Sequence, residues 1–373
     1  MRLTRRRLLV TALAGAAALP QGAPAKALWP GARYTAAQRD RAIRRGLRFI
    51  YRVARQPKTF SEYGDDLLWC FHSLAVTAAD PWLKRTAHAM GRERARAWRR
   101  DNPRVPKDAD ADDVATLVSG CYSADSLGVR DPAMKPALAA AARKFSAIDF
   151  LRFDPATGSI PDNVPGACDD DTPKNSTSDQ CGGAGTIMSP YELLTDALVT
   201  TYAGDHYGVR LGASLDEVTA LVPRMRPYRV DERANAGFID VTYAITHTVY
   251  VLNDYGRFRL RPEWLPDEYA YLRENLRRSI KDEDPETTGE FLDTLRAFGM
   301  TERDPLIQDG MAFVLARQHD DGSWGDREDN DAYTLYHSTW TAINGLMDYA
   351  WVGEGTSFPA ALAAARGKPI NRI

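Results

Sequence analysis

The sequence predicts an all-α chain that closes as an (α/α)6 toroid of six helical hairpins. Three observations support that class. Apolar residues recur at helical spacing through almost every segment after Tyr34. Strongly charged segments alternate with segments rich in aromatic, small and neutral residues. The joints between them repeat.

The charged helices are expected near 35–55, 81–100, 132–149, 213–224, 264–281 and 303–318. The weakly charged ones are expected near 64–79, 111–127, 189–206, 239–254, 285–298 and 331–351. The first set suits a solvated outer ring and the second a buried inner ring. Gly128, Gly208, Gly256 and Gly299 each follow an inner helix, where a left-handed cap is needed. Their separations are 80, 48 and 43 residues. The longest gap holds a cysteine-flanked insertion near 150–188, so the underlying period is about 45, as in stacked helical hairpins. A straight solenoid is the alternative. The longer connections, 101–110, 150–188, 225–238 and 319–330, precede inner helices and so share one face, where function is expected.

The first 27 residues form an export signal. Thr4-Arg5-Arg6-Arg7-Leu8-Leu9 opens an apolar run to Leu19, and Ala25-Lys26-Ala27 offers a cleavage site. The paired arginines resemble a twin-arginine signal, which implies the twin-arginine export machinery as a partner. The mature chain, 28–373, is expected as one domain in the periplasm or secreted. Of 373 residues, 44% are apolar, 26% charged and 10% aromatic, an ordinary globular composition. Net charge is −2, and beyond the first 26 residues 43 basic groups face 50 acidic ones. That balance gives no reason to expect nucleic acid as a partner. No later segment is long enough for a membrane span. A small molecule, a peptide or a glycan is left as substrate.

Cys168 and Cys181 flank a Gly/Asp/Ser/Thr-rich stretch, and a disulfide is the plain expectation in an oxidising compartment. Cys70 and Cys121 sit in apolar patterns and read as buried thiols.

Acids mark the starts of the inner helices: Asp65 and Asp66, Asp112 and Asp113, Glu192, Asp240, Glu286 and Asp331. Helix capping accounts for most such residues. The six histidines discriminate better. Asp65, Trp69 and His72 share one helix face. Asp240, Tyr243, His247, Tyr250 and Asp254 share another, as do Tyr333, His337, Trp340 and Asn344. A polar, aromatic stripe facing an axis implies a wet cavity.

Two chemistries suit these groups. In one, His247 and His337 bind a divalent transition metal, Zn or Cu, with a rim carboxylate or His72. In the other, His337 and Tyr336 act as base and acid while Arg257, near Tyr255, neutralises a uronate carboxylate, as a polysaccharide lyase or glycoside hydrolase requires. The Asp-rich stretches 169–171 and 326–331 have oxygen ligands suited to Ca2+, though neither has an EF-hand pattern. A non-catalytic binding protein is a further alternative.

Several motifs resemble the α/α-toroid superfamily of terpene cyclases and protein prenyltransferases. Gln318-His319-Asp320-Asp321-Gly322-Ser323-Trp324-Gly325 is similar to the Q-x-x-D-G-S-W repeat of squalene–hopene-type cyclases, which ties neighbouring helices there. Asp110-Ala111-Asp112-Asp113 is similar to the D-x-D-D motif of class II cyclases, and the resemblance implies Asp112 as a general acid. Tyr336-His337-Ser338-Thr339-Trp340 and Gly120-Cys121-Tyr122-Ser123 resemble the zinc-histidine and zinc-cysteine helices of the farnesyltransferase β subunit.

Overall fold

The computed structural model describes residues 34–160, 168–169, 186–230, 237–328 and 331–367, with 168–169 and 186–187 described as backbone. The chain is helical. Its elements are α1 (Ala36–Ala54), α2 (Pro57–Thr77), α3 (Pro81–Asp101), α4 (Ala111–Ser126), α5 (Met134–Ala142), α6 (Ala147–Leu151), α7 (Pro190–Tyr207), α8 (Leu215–Thr219), α9 (Val222–Met225), α10 (Phe238–Leu252), α11 (Pro266–Lys281), α12 (Pro285–Ala297), α13 (Pro305–Ala316), α14 (Ala332–Leu346) and α15 (Pro359–Ala365). A two-residue antiparallel pairing joins Cys168 to Ile187 and Asp169 to Thr186. Among the described residues no helix is long and apolar enough to cross a membrane.

Local chemistry sets the helix starts. Side chains of Thr35, Asp80, Asp110, Ser189, Asp284, Asp304 and Asp331 accept a hydrogen bond from the first-turn backbone of the helix that follows. Proline occupies the first turn of α2, α3, α7, α11, α12 and α13, where its missing N–H costs nothing. Gly128, Gly208, Gly256 and Gly299 all have positive φ, as the repeated joints anticipate.

Four expected boundaries differ. The region 132–149 divides into α5 and α6, and 213–224 into α8 and α9. The first pair breaks where Ser146 begins α6 with a capping box, and α9 restarts after Ala220 with Pro223 in its first turn. α2 begins at Pro57, and Tyr63, at φ −120, kinks it where a start was expected. Asp65 and Asp66 follow that kink, inside α2. α15 has no counterpart in the sequence reading.

The weakly charged helices pack in turn: α2 on α4, α4 on α7, α7 on α10, α10 on α12, α12 on α14, and α14 on α2. The charged helices lie against these: α1 on α14 and α2, α3 on α2 and α4, α11 on α10 and α12, α13 on α12 and α14. Small residues allow the closest approaches. A Cβ at Gly289 of α12 would stand 2.6 Å from the Thr341 backbone of α14. The 318–325 segment ties three helices. Gln318 Nε2 donates to the carbonyls of Ala42 (2.8 Å) and Gly322 (3.0 Å), and the Trp324 ring, fully buried, donates to Val314 O at 2.6 Å. The Trp324 backbone N–H donates to Thr339 Oγ1, linking α1, α13 and α14.

Candidate functional site

Two polar clusters lie along the weakly charged helices. The first is built by α10, α12 and α14. Glu286, in the first turn of α12, receives three donors. Its Oε1 lies 3.0 Å from His337 Nδ1 and accepts from the Tyr243 hydroxyl at 2.5 Å, while Oε2 accepts from Ser338 Oγ at 2.6 Å. One turn later, Glu290 Oε2 accepts from Thr246 Oγ1 at 2.6 Å. His247 places Nδ1 2.9 Å from the Tyr243 carbonyl. A carbonyl only accepts, so Nδ1 carries the proton and Nε2 keeps its lone pair. The Tyr333 ring stacks on His337 with centroids 4.8 Å apart, and Trp340 meets it edge-on at 5.9 Å. Trp340 Nε1 is buried with no hydrogen-bond partner among the described residues. The side chains of His337 and Glu286 keep 12% and 13% of their surface accessible.

The electrostatics divide the two imidazoles. Burial lowers the His247 pKa, and charge on His337 lowers it further, to about 4. Burial works the same way on His337, but the Glu286 charge and hydrogen bond, with Asp66 and Glu290, outweigh it and raise its pKa to about 9. Burial pushes Glu286 up, yet His337, Ser338 and Tyr243 hold it far below the usual carboxylate range. Glu290, whose burial is less well offset, rises to about 8. Near neutral pH the cluster therefore holds an imidazolium–carboxylate pair, a neutral imidazole and a protonated carboxylic acid. Tyr336 donates to Asp66 Oδ2 at 2.8 Å beside it.

The second cluster lies where α2, α4, α7 and α10 end. Asp254 Oδ1 is 2.7 Å from His206 Nε2 and accepts from the Tyr202 hydroxyl at 2.6 Å; Oδ2 accepts from Ser357 Oγ at 2.7 Å and Arg257 Nη1 at 3.4 Å. Burial raises the Asp254 carboxyl, but His206, Tyr202 and Ser357 together hold it well below its ordinary value. His72, half-buried, is lowered to about 4 by desolvation and then by His206. Asp254 and Tyr255 have φ of 59 and 48, left-handed values rare for such residues. α10 ends at Leu252, so Asp254 lies beyond the helix and leaves the face expected for it.

The sequence-predicted residues thus separate into groups. His247, His337, Tyr243 and Trp340 meet in the first cluster, and Tyr336 borders it. His72, Tyr255 and Arg257 belong to the second, so Arg257 is engaged by Asp254. Asp65 is buried in α2, Glu192 lies in the first turn of α7, and Asp240 caps α10 through the Gly237 N–H at 3.1 Å. Both oxygens of Asp112 accept from Arg152, at 2.5 and 2.6 Å. Cys121 Sγ accepts from Arg99 at 2.9 Å, and Cys70 and Cys121 are buried free thiols. Cys181 and the expected export signal fall outside the described residues, as do most of 169–171 and part of 326–331.

Among the described residues no three His, Cys, Asp or Glu side chains stand close enough to hold a metal ion. An ion shared by His247 and His337 would need a further donor from elsewhere. Glu290 is absent from the sequence reading, Asp66 and Glu286 entered it only as helix-start acids, and Asp254 only as one residue of a polar helix face. Their signal was Glu286, Glu290 and Asp293 at i, i+4, i+7 in a helix otherwise apolar enough for burial. No family model, curated protein or solved structure matches this chain.

Proposed function

We propose that the inner helices close as a six-hairpin toroid and that the first cluster is the acid–base centre of an enzyme that cleaves glycans, with His247 accepting a proton and His337 donating one. The observation that carries this reading is the contrast at Nδ1. His247 gives its Nδ1 proton to a backbone carbonyl, leaving Nε2 as a base. His337 gives its own to the Glu286 carboxylate, which favours the imidazolium and leaves Nε2–H as an acid. Glu286 positions His337, and Tyr243 and Ser338 position Glu286. The buried rings of Trp340 and Tyr333 flank His337 and hold its imidazole in place. The export signal expected at the N-terminus fits a polymer met outside the cytoplasm.

Alginate, pectate, a heparin-like polymer and a soluble β-glucan are the first substrates to try. New reducing ends mark either cleavage, and unsaturated uronate absorbance separates elimination from hydrolysis. Activity on one of them, lost in both His247→Ala and His337→Ala, supports the reading. Silence across the set, or activity that survives both substitutions, overturns it.

A further inference from the structure

The segment after α14 crosses the ends of the inner helices. The Ala79 N–H donates to Asp348 O and the Ala350 N–H to Thr77 O, both at 2.7 Å, joining it to the end of α2. Arg296, at the end of α12, donates through Nη1 to Met347 O at 2.5 Å. Further on, the Val352 N–H donates to Arg257 O (2.9 Å), the Arg259 N–H to Gly353 O (2.8 Å) and the Gly355 N–H to Arg259 O (3.0 Å). Ser357 then reaches Asp254, and the Phe358 ring meets His206 of α7 at 4.8 Å. The strap closes with α15 against α8.

Beneath the strap the rings are packed. Tyr255 stacks on Tyr250 at 5.5 Å and touches Trp69 at 5.1 Å and Tyr202 at 4.9 Å. Asp254, held by His206, Tyr202, Ser357 and Arg257, fixes the left-handed turn that points Tyr255 inward. A Cβ at Gly256 would lie 2.4 Å from the Tyr349 ring, so turn and strap fit without space between them.

We infer that the interior is a blind pocket with Tyr255 as its floor, and that the acid–base centre proposed above takes its substrate end-on, as a chain terminus or a small saccharide. The mode of attack rests on that functional reading; the closure does not. A polymer threaded through its middle needs both ends of the interior open, and the strap occupies one. Two measurements on the full chain test this. Hydrogen exchange at Ala350, Val352 and Gly355 is expected to be slow, because their amides donate to Thr77 of α2 and to Arg257 and Arg259. On whichever of the four polymers is cleaved, short products are expected to accumulate while viscosity hardly falls. Fast exchange in the strap, or rapid viscosity loss with few new ends, overturns the inference. No turnover on any polymer counts against the acid–base centre alone, and exchange still decides whether the pocket is blind.

Discussion

Glu286, in the first turn of α12, holds His337 Nδ1 at 3.0 Å, and through its other oxygen it binds Ser338, the next residue of α14. One carboxylate thus locks both the charge and the orientation of a single imidazole.

Removing that carboxylate's charge is expected to damage activity while leaving the fold intact. In Glu286→Gln the His337 pKa moves down from about 9, and turnover falls about 100-fold or more. The high-pH limit of kcat/KM moves to lower pH by the same cause. An unchanged pH profile would detach Glu286 from the chemistry.

Stability should carry the same signature. The folded His337 pKa lies above its unfolded value of 6.5, so its stabilising contribution is complete below that pH and is lost as pH rises through about 9. Glu290 has its pKa raised to about 8, so its contribution also weakens as pH climbs from its unfolded value of 4.5. The wild-type Tm is expected to fall across pH 6.5–9, on the shifts just cited. His337→Gln should flatten that fall, and Glu290→Gln should raise Tm near pH 8 relative to wild type.

Asp112→Asn distinguishes this centre from a cyclase-like acid. Both oxygens of Asp112 serve Arg152, so the substitution should cost about 1 kcal/mol or less and leave glycan cleavage unchanged. Loss of activity with unchanged Tm would restore Asp112 as an acid.

The packing of α12 on α14 is tested by Gly289→Ala. The new methyl would meet Thr341 backbone atoms at 2.6 Å, which cannot yield as a side-chain end can. A loss of about 2 kcal/mol is expected by urea unfolding. Trp324→Ala, which empties a fully buried ring site and frees Val314 O, should cost about 4 kcal/mol.

Much of this architecture was legible because each helix announces itself locally. The four glycine joints are short-range signals, and each lies where the chain turns. The split at Ser146 was hidden because the apolar period continues across it. At the site, His247 and His337 stood out by scarcity and by their helix faces. Their partners did not. Glu286 and Glu290 look like cap and solvent acids until α12 is seen packed between α10 and α14. The separation of Arg257 from His337 follows from the left-handed turn at 254–256, which no periodicity encodes.

The most direct test is an NMR titration of the imidazole resonances in the full protein, with His247→Ala and His337→Ala providing the assignments. The account predicts that His337 remains charged at pH 8 while His247 remains neutral at pH 5. Two histidines that both titrate near the ordinary value of 6.5 would contradict it.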